Sequence, residues 1–170
     1  DHVGGADDIL GRYRPKLVLV RAGVPPAWLT EAATRAGAQL HTPVPGETIT
    51  VGEATWRTVS VGEAGALTEG SEEGRDGVGD GAAETDASIV GVAESAGMRV
   101  LLAGDAEPAG QARALRSAAL LGLDMRADVL KLPHHGSARQ EPRFFAASGA
   151  SLAVASSGAG NDYGHPAKSA

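Results

Sequence analysis

Leu101-Leu102-Ala103-Gly104-Asp105 and, further along, Ala127-Asp128-Val129-Leu130-Lys131-Leu132-Pro133-His134-His135-Gly136-Ser137 are the stretches of this chain whose residue types can do chemistry. Each is a short apolar run that stops at a hard metal ligand. This is the pattern of a buried strand whose tip delivers a carboxylate or an imidazole into a cleft. Asp1-His2-Val3-Gly4-Gly5 adds a second carboxylate beside an imidazole. Together they make the ligand set of a hydrolytic site with one or two zinc ions.

Each motif also has a plainer reading. Gly104 permits a tight turn that aims Asp105 back at the cleft, but an Asp after Gly is equally a helix cap for Glu107 or Pro108. The pair His134-His135 is expected in extended backbone, where consecutive side chains point to opposite sides. One imidazole would then reach a given metal while the other orients a neighbour or a phosphate. His135 is favoured as the ligand because Gly136 leaves room beside it, and Ser137 stands ready to hydrogen-bond a phosphoryl oxygen. His165 lies in Asn161-Asp162-Tyr163-Gly164-His165-Pro166, where the constrained backbone projects the imidazole outward. A plain turn fits that hexapeptide as well. His41, followed by Thr42-Pro43, reads as a loop residue.

Alternation and punctuation supply the elements that must hold these residues. Acids at Asp7 and Asp8 begin a short helix, Lys16 to Val20 is a strand, and Pro25-Pro26 open a helix that Gly37 ends. Thr48 to Val51 and Thr55 to Val61 form a hairpin around Gly52-Glu53. Ala87 to Ala93 and Met98 to Ala103 form another, turning at Glu94 to Gly97. A helix over Glu107 to Leu121, a strand over Asp128 to Leu132, a helix over Glu141 to Ala147 and a strand over Ser151 to Ala155 complete the series. Hairpins followed by helix, strand, helix and strand predict an α/β class built as an α/β/β/α sandwich.

The chain has 170 residues, 42% of them apolar, and no cysteine. One domain over 1–170 is the default for that length. Without thiols there is no disulfide, zinc ribbon or Cys nucleophile, so any metal must rest on His and carboxylate. No run approaches the roughly 18 apolar residues that a membrane helix needs, so the segment is expected to be soluble. The net charge is −6, but eight acidic residues and one basic one fall between Gly62 and Asp86, leaving the remainder near neutral. That remainder carries no basic footprint for DNA, so a polyanionic substrate would have to be held by metal and a few local groups. The Gly-rich acidic stretch 62–84 has too little apolar content to fold and is expected to be a mobile loop. An acidic lid or a DNA mimic is the alternative role for it.

Taken in order, Asp-His-Val-Gly-Gly, Leu-Leu-Ala-Gly-Asp, Val-Leu-Lys-Leu-Pro-His-His-Gly-Ser and Asn-Asp-Tyr-Gly-His-Pro resemble the metallo-β-lactamase-like domain of ComEC-family DNA-uptake proteins. The likeness covers nearly the whole chain. In that superfamily the metal motif begins His-x-His-x-Asp-His, of which only Asp1 and His2 stand here, so the resemblance implies a fragment whose first strands are missing. It implies Asp1, His2, Asp105, His134 and His135 as metal ligands, with Asp105 bridging and Asp1 also handling a proton of the attacking water. It implies His165 as a catalytic group near the leaving oxygen and, with Ser137, as a contact to phosphate. Two divalent ions, zinc or manganese, would activate water for phosphodiester hydrolysis of DNA. The partner would be the membrane-embedded channel part of the same parent chain, and the location a soluble domain of a bacterial inner-membrane protein. A hydrolase of another substrate and a non-catalytic binding domain keeping the fold are the competing readings. Val61-Gly62, preceded by Ser60, ends its strand without a His, which favours the latter and predicts a site poor in ligands. Weak or absent catalysis is expected of the chain as it stands.

Overall fold

The computed structural model describes residues 5–62 and 87–170. Asp1 and His2, and all of the expected acidic loop except Gly62, lie outside the described residues. The chain divides into two compact units, Asp1–Pro43 and Val44–Ala170. The class is α/β, with two sheets and helices.

In the first unit, α1 (Ala6–Tyr13), β1 (Leu17–Leu19), α2 (Ala27–Ala36) and β2 (Gln39–His41) follow one another. The strands β1 and β2 pair in parallel, Leu17 opposite Gln39 and Leu19 opposite His41. Gly37 ends α2 at φ 74°, its N–H closing on the carbonyls of Ala33 and Thr34. That left-handed residue is the reason a glycine stands there. His41 is thus the last residue of a strand rather than a loop residue, its carbonyl accepting from the Val20 N–H at 2.9 Å. The three residues of β2 are too few, and two of them too polar, to show alternation in the sequence.

The second unit is built on a six-stranded sheet in the order β3 (Thr48–Val51), β4 (Ala54–Val61), β5 (Ile89–Ser95), β6 (Met98–Leu102), β7 (Val129–Lys131) and β8 (Leu152–Val154). From β3 to β6 the neighbours are antiparallel; β6, β7 and β8 are parallel. Ala96 and Gly97, at φ 51° and 77°, make the two-residue turn between β5 and β6. Both central residues at positive φ suit the right-handed twist of a hairpin. At Gly91 an added Cβ would fall 2.2 Å from the Trp56 ring and 2.7 Å from the Arg57 carbonyl, so the indole lies across β5 only because no side chain stands there.

Parallel strands need crossover helices, and α3 (Pro108–Leu121) and α4 (Pro142–Ser148) supply them. Together with the sheet they enclose Val59, Val90, Val92, Leu101, Ala114, Leu130 and Phe144, all nearly or wholly buried. Each large apolar side chain buried here contributes about 1.5–3 kcal/mol. The register of β4 on β5 slips between Thr58 and Ser60, leaving Val59 without a ladder partner. Ser117 of α3 donates its hydroxyl to the Val59 carbonyl at 2.6 Å, which satisfies the buried acceptor and pins the helix to the sheet. Among the described residues no helix is long and apolar enough to cross a membrane.

The parallel arrangement positions the chemistry. The carboxyl ends of β6, β7 and β8 open at one edge, and the loops that leave them carry Asp105, His134-His135 and Ser156 to His165 respectively. In open α/β sheets that edge is where ligands bind.

Candidate metal centre

Gly104 follows β6 at φ 55°, with Ser88 packed 3.0 Å from where a Cβ would stand. The Asp105 N–H donates to Ser88 Oγ at 3.0 Å, which turns the carboxylate back over the sheet edge. Period two along β7 sends Leu130 into the core and Lys131 to the opposite face. Lys131 Nζ there donates to the Gly104 carbonyl at 2.8 Å and to Asp105 Oδ1 at 3.2 Å. The N-cap of α3 is Glu107, two residues beyond Asp105.

The expectation of extended backbone at the histidine pair is corrected. His134 (φ 44°, ψ 54°) and His135 (φ 54°, ψ 16°) are both left-handed, and Gly136 continues at φ 80°. The Ser137 N–H closes the turn on the His134 carbonyl at 2.9 Å. Two consecutive non-glycine residues in this region cost about 1–3 kcal/mol each and are held only where their surroundings fix them. Here the fixing is visible. His135 Nδ1 lies 2.5 Å from the Ser156 carbonyl and His134 Nδ1 2.6 Å from Glu107 Oε1.

These bonds orient the rings. A carbonyl only accepts, so His135 Nδ1 donates to Ser156 and its Nε2 is left facing Asp105 Oδ2 at 3.4 Å. Two donors about 2.0 to 2.2 Å from a tetrahedral ion stand about 3.4 Å apart. A ligating imidazole whose other nitrogen is tied to a carbonyl is the arrangement that fixes the tautomer for metal. Asp105 and His135 therefore fit a divalent ion as two of its ligands. Among the described residues no group of three or more His, Cys, Asp or Glu is gathered for a metal.

His134 turns the other way, toward Glu107 and toward His165, whose ring centroid is 5.6 Å distant. The His165 loop is clamped by Asn161, which donates to the His165 carbonyl at 2.7 Å and accepts its N–H at 2.9 Å. The Ala167 N–H then docks on the Gly136 carbonyl at 2.8 Å, and Pro166 sits 2.9 Å from where a Gly136 Cβ would be. Burial, then the neighbouring His134 and His135, push the His165 pKa down, with Glu107 opposing. Tyr163, largely exposed, stacks on that ring at 5.9 Å. Ser137 is 4% exposed and its hydroxyl is engaged with the Arg139 backbone, so it shapes the loop.

Lys131, Glu107 and the bonded pair Gln111 and Gln140, the first of them buried, are the neighbours of the site that sequence reasoning passed over. A signal existed for Lys131, a lone lysine inside the apolar run Val129 to Leu132. Glu107 at the head of α3 reads in sequence as an ordinary favourable acid at a helix start.

No curated protein matches the chain. The family model described as Metallo-beta-lactamase superfamily matches residues 1–141. Members of that superfamily typically bind divalent metals and act as metal-dependent hydrolases, in keeping with an imidazole and a carboxylate facing each other at the open edge of a mixed sheet. The chain belongs to the metallo-beta-lactamase superfamily.

Proposed function

We propose that this chain is the hydrolytic domain of a ComEC-type DNA-uptake protein and that its substrate is a phosphodiester. The observation that carries the hydrolytic part is the pair His135 Nε2 and Asp105 Oδ2, facing at 3.4 Å with the far imidazole nitrogen tied to Ser156. The DNA part is supported by the order of the four motifs.

Asp105 and His135 hold the metal; the resemblance implies Asp1 and His2 as further ligands. Zinc suits the imidazole, and manganese the carboxylates. When bound, the ion supplies Lewis-acid activation of water and of the phosphoryl oxygen. The chain's own residues do the rest. Ser156 holds His135 in its ligating tautomer, Glu107 orients His134, and the Asn161 clamp sets His165 beside it for the leaving-group side. The near-neutral body gives a polyanion little long-range attraction, so the strand is held at the centre itself. The reading places the domain beside the membrane-embedded channel of the same parent chain in a bacterial inner membrane.

Incubating the chain with bis(p-nitrophenyl) phosphate and with single-stranded DNA, with zinc or manganese and with EDTA, tests it. Weak metal-dependent cleavage abolished by Asp105→Ala is expected, and hydrolysis of a β-lactam or thioester in its place would contradict it. A second reading, a domain that keeps the fold without catalysis, draws on the lack of a three-donor group among the described residues. It predicts no cleavage with any metal.

A further inference from the structure

We propose that this centre is built for one metal ion, with the ammonium of Lys131 fixed in the place where the Asp105 carboxylate would otherwise meet a second cation. The inference rests on the reading of Asp105 and His135 as metal ligands and deepens it. A carboxylate bridges two ions by giving one oxygen to each. Here the two oxygens of Asp105 have different neighbours, Oδ2 facing His135 Nε2 at 3.4 Å and Oδ1 accepting from Lys131 Nζ at 3.2 Å.

The lysine is not a loose surface cation. Its backbone lies in the parallel ladder opposite Leu102, its side chain is 23% exposed, and its Nζ also donates to the Gly104 carbonyl at 2.8 Å. The same strand register that delivers the carboxylate therefore delivers the ammonium to it. A lysine so far withdrawn from water requires a carboxylate partner, and a second dication beside a fixed ammonium meets like-charge repulsion that burial strengthens. Among the described residues, the neighbouring strand end offers nothing to offset it. The close of β4 reaches this edge through the Gly62 N–H on the Ser88 carbonyl at 3.1 Å, and its described residues there are Ser60, Val61 and Gly62, with no imidazole or carboxylate.

Zinc titration of the full chain, read as equivalents bound by calorimetry and by elemental analysis after desalting, tests the assignment. Lys131→Gln removes the charge while keeping a donor for the Gly104 carbonyl, and Lys131→Met keeps the stem alone; circular dichroism selects whichever is folded. The expected result is one equivalent in the parent chain and, in the uncharged variant, a second, weaker equivalent held through Asp105 Oδ1. Two equivalents in the parent, or one in both, overturns the role given to Lys131 while leaving the metal centre standing. No zinc in the parent chain overturns the centre itself, and the inference with it.

Discussion

Gln111 Nε2 donates to Gln140 Oε1 at 2.8 Å, and this amide pair, with Gln111 fully buried and Gln140 partly so, ties the start of α3 to the loop that follows the histidine turn. Gln111 also donates to the Ala106 carbonyl, next to Asp105, and accepts the Glu141 N–H at 2.7 Å. Gln140 reaches the carbonyls of Pro133 and Ser137, which flank the histidine turn. A satisfied buried network of this kind fixes geometry, and a half-satisfied one is costly. Gln111→Leu is expected to destabilise the chain by about 3 kcal/mol through the stranded polar groups. Chemical denaturation measures that loss, and zinc affinity should fall further than in a core variant of equal stability such as Phe144→Leu.

Gly136 is where the His165 loop lands. A methyl group there meets Pro166 at 2.9 Å and must also adopt φ 80°. Gly136→Ala is expected to cost about 1–3 kcal/mol and to detach the loop. Displaced His165 and Tyr163 ring signals in NMR spectra, with the core methyl signals unmoved, are the anticipated readout.

Glu107 acts on the site through His134. Replacement by Gln keeps the shape and weakens the 2.6 Å contact. On the proposed function, Glu107→Gln is expected to lower phosphodiester cleavage roughly 10–100-fold. Zinc content should stay at the parent value, since His135 and Asp105 are untouched; loss of zinc would show that His134 is a ligand.

Away from the site, Asp124 is bonded by Arg126 and by Arg99, and these guanidinium groups hold its carboxyl well below the ordinary value of 3.8. A depressed folded-state pKa gives stability that is complete above the unfolded value and lost as pH falls below it. Asp124 is 42% exposed, so solvent screens the pairing and the contribution is under about 1 kcal/mol. The acid limb of a melting-temperature profile below about pH 4 should therefore be slightly shallower in Asp124→Asn, with the difference fading at high salt.

The parts of the molecule legible in sequence were those with local causes. Gly37 closing α2, Gly52-Glu53 at the β3 to β4 turn, and apolar runs ending at Gly104-Asp105 and Pro133-His134 all announce themselves through propensity and alternation. The turn at His134-His135 did not, because left-handed backbone at two histidines is held by Glu107, Ser156 and the packing of Pro166 on Gly136, partners distant in sequence. The same holds for Lys131. Its interruption of an apolar strand is visible in the sequence, but which carboxylate it meets depends on the parallel register of β6 and β7.

The central claim is that Asp105 and His135 share one metal ion. Zinc retained after desalting by the parent chain and by the folded double variant Asp105→Ala, His135→Ala tests it most directly. The account predicts stoichiometric zinc in the parent and none in the variant. Equal zinc in both would contradict it.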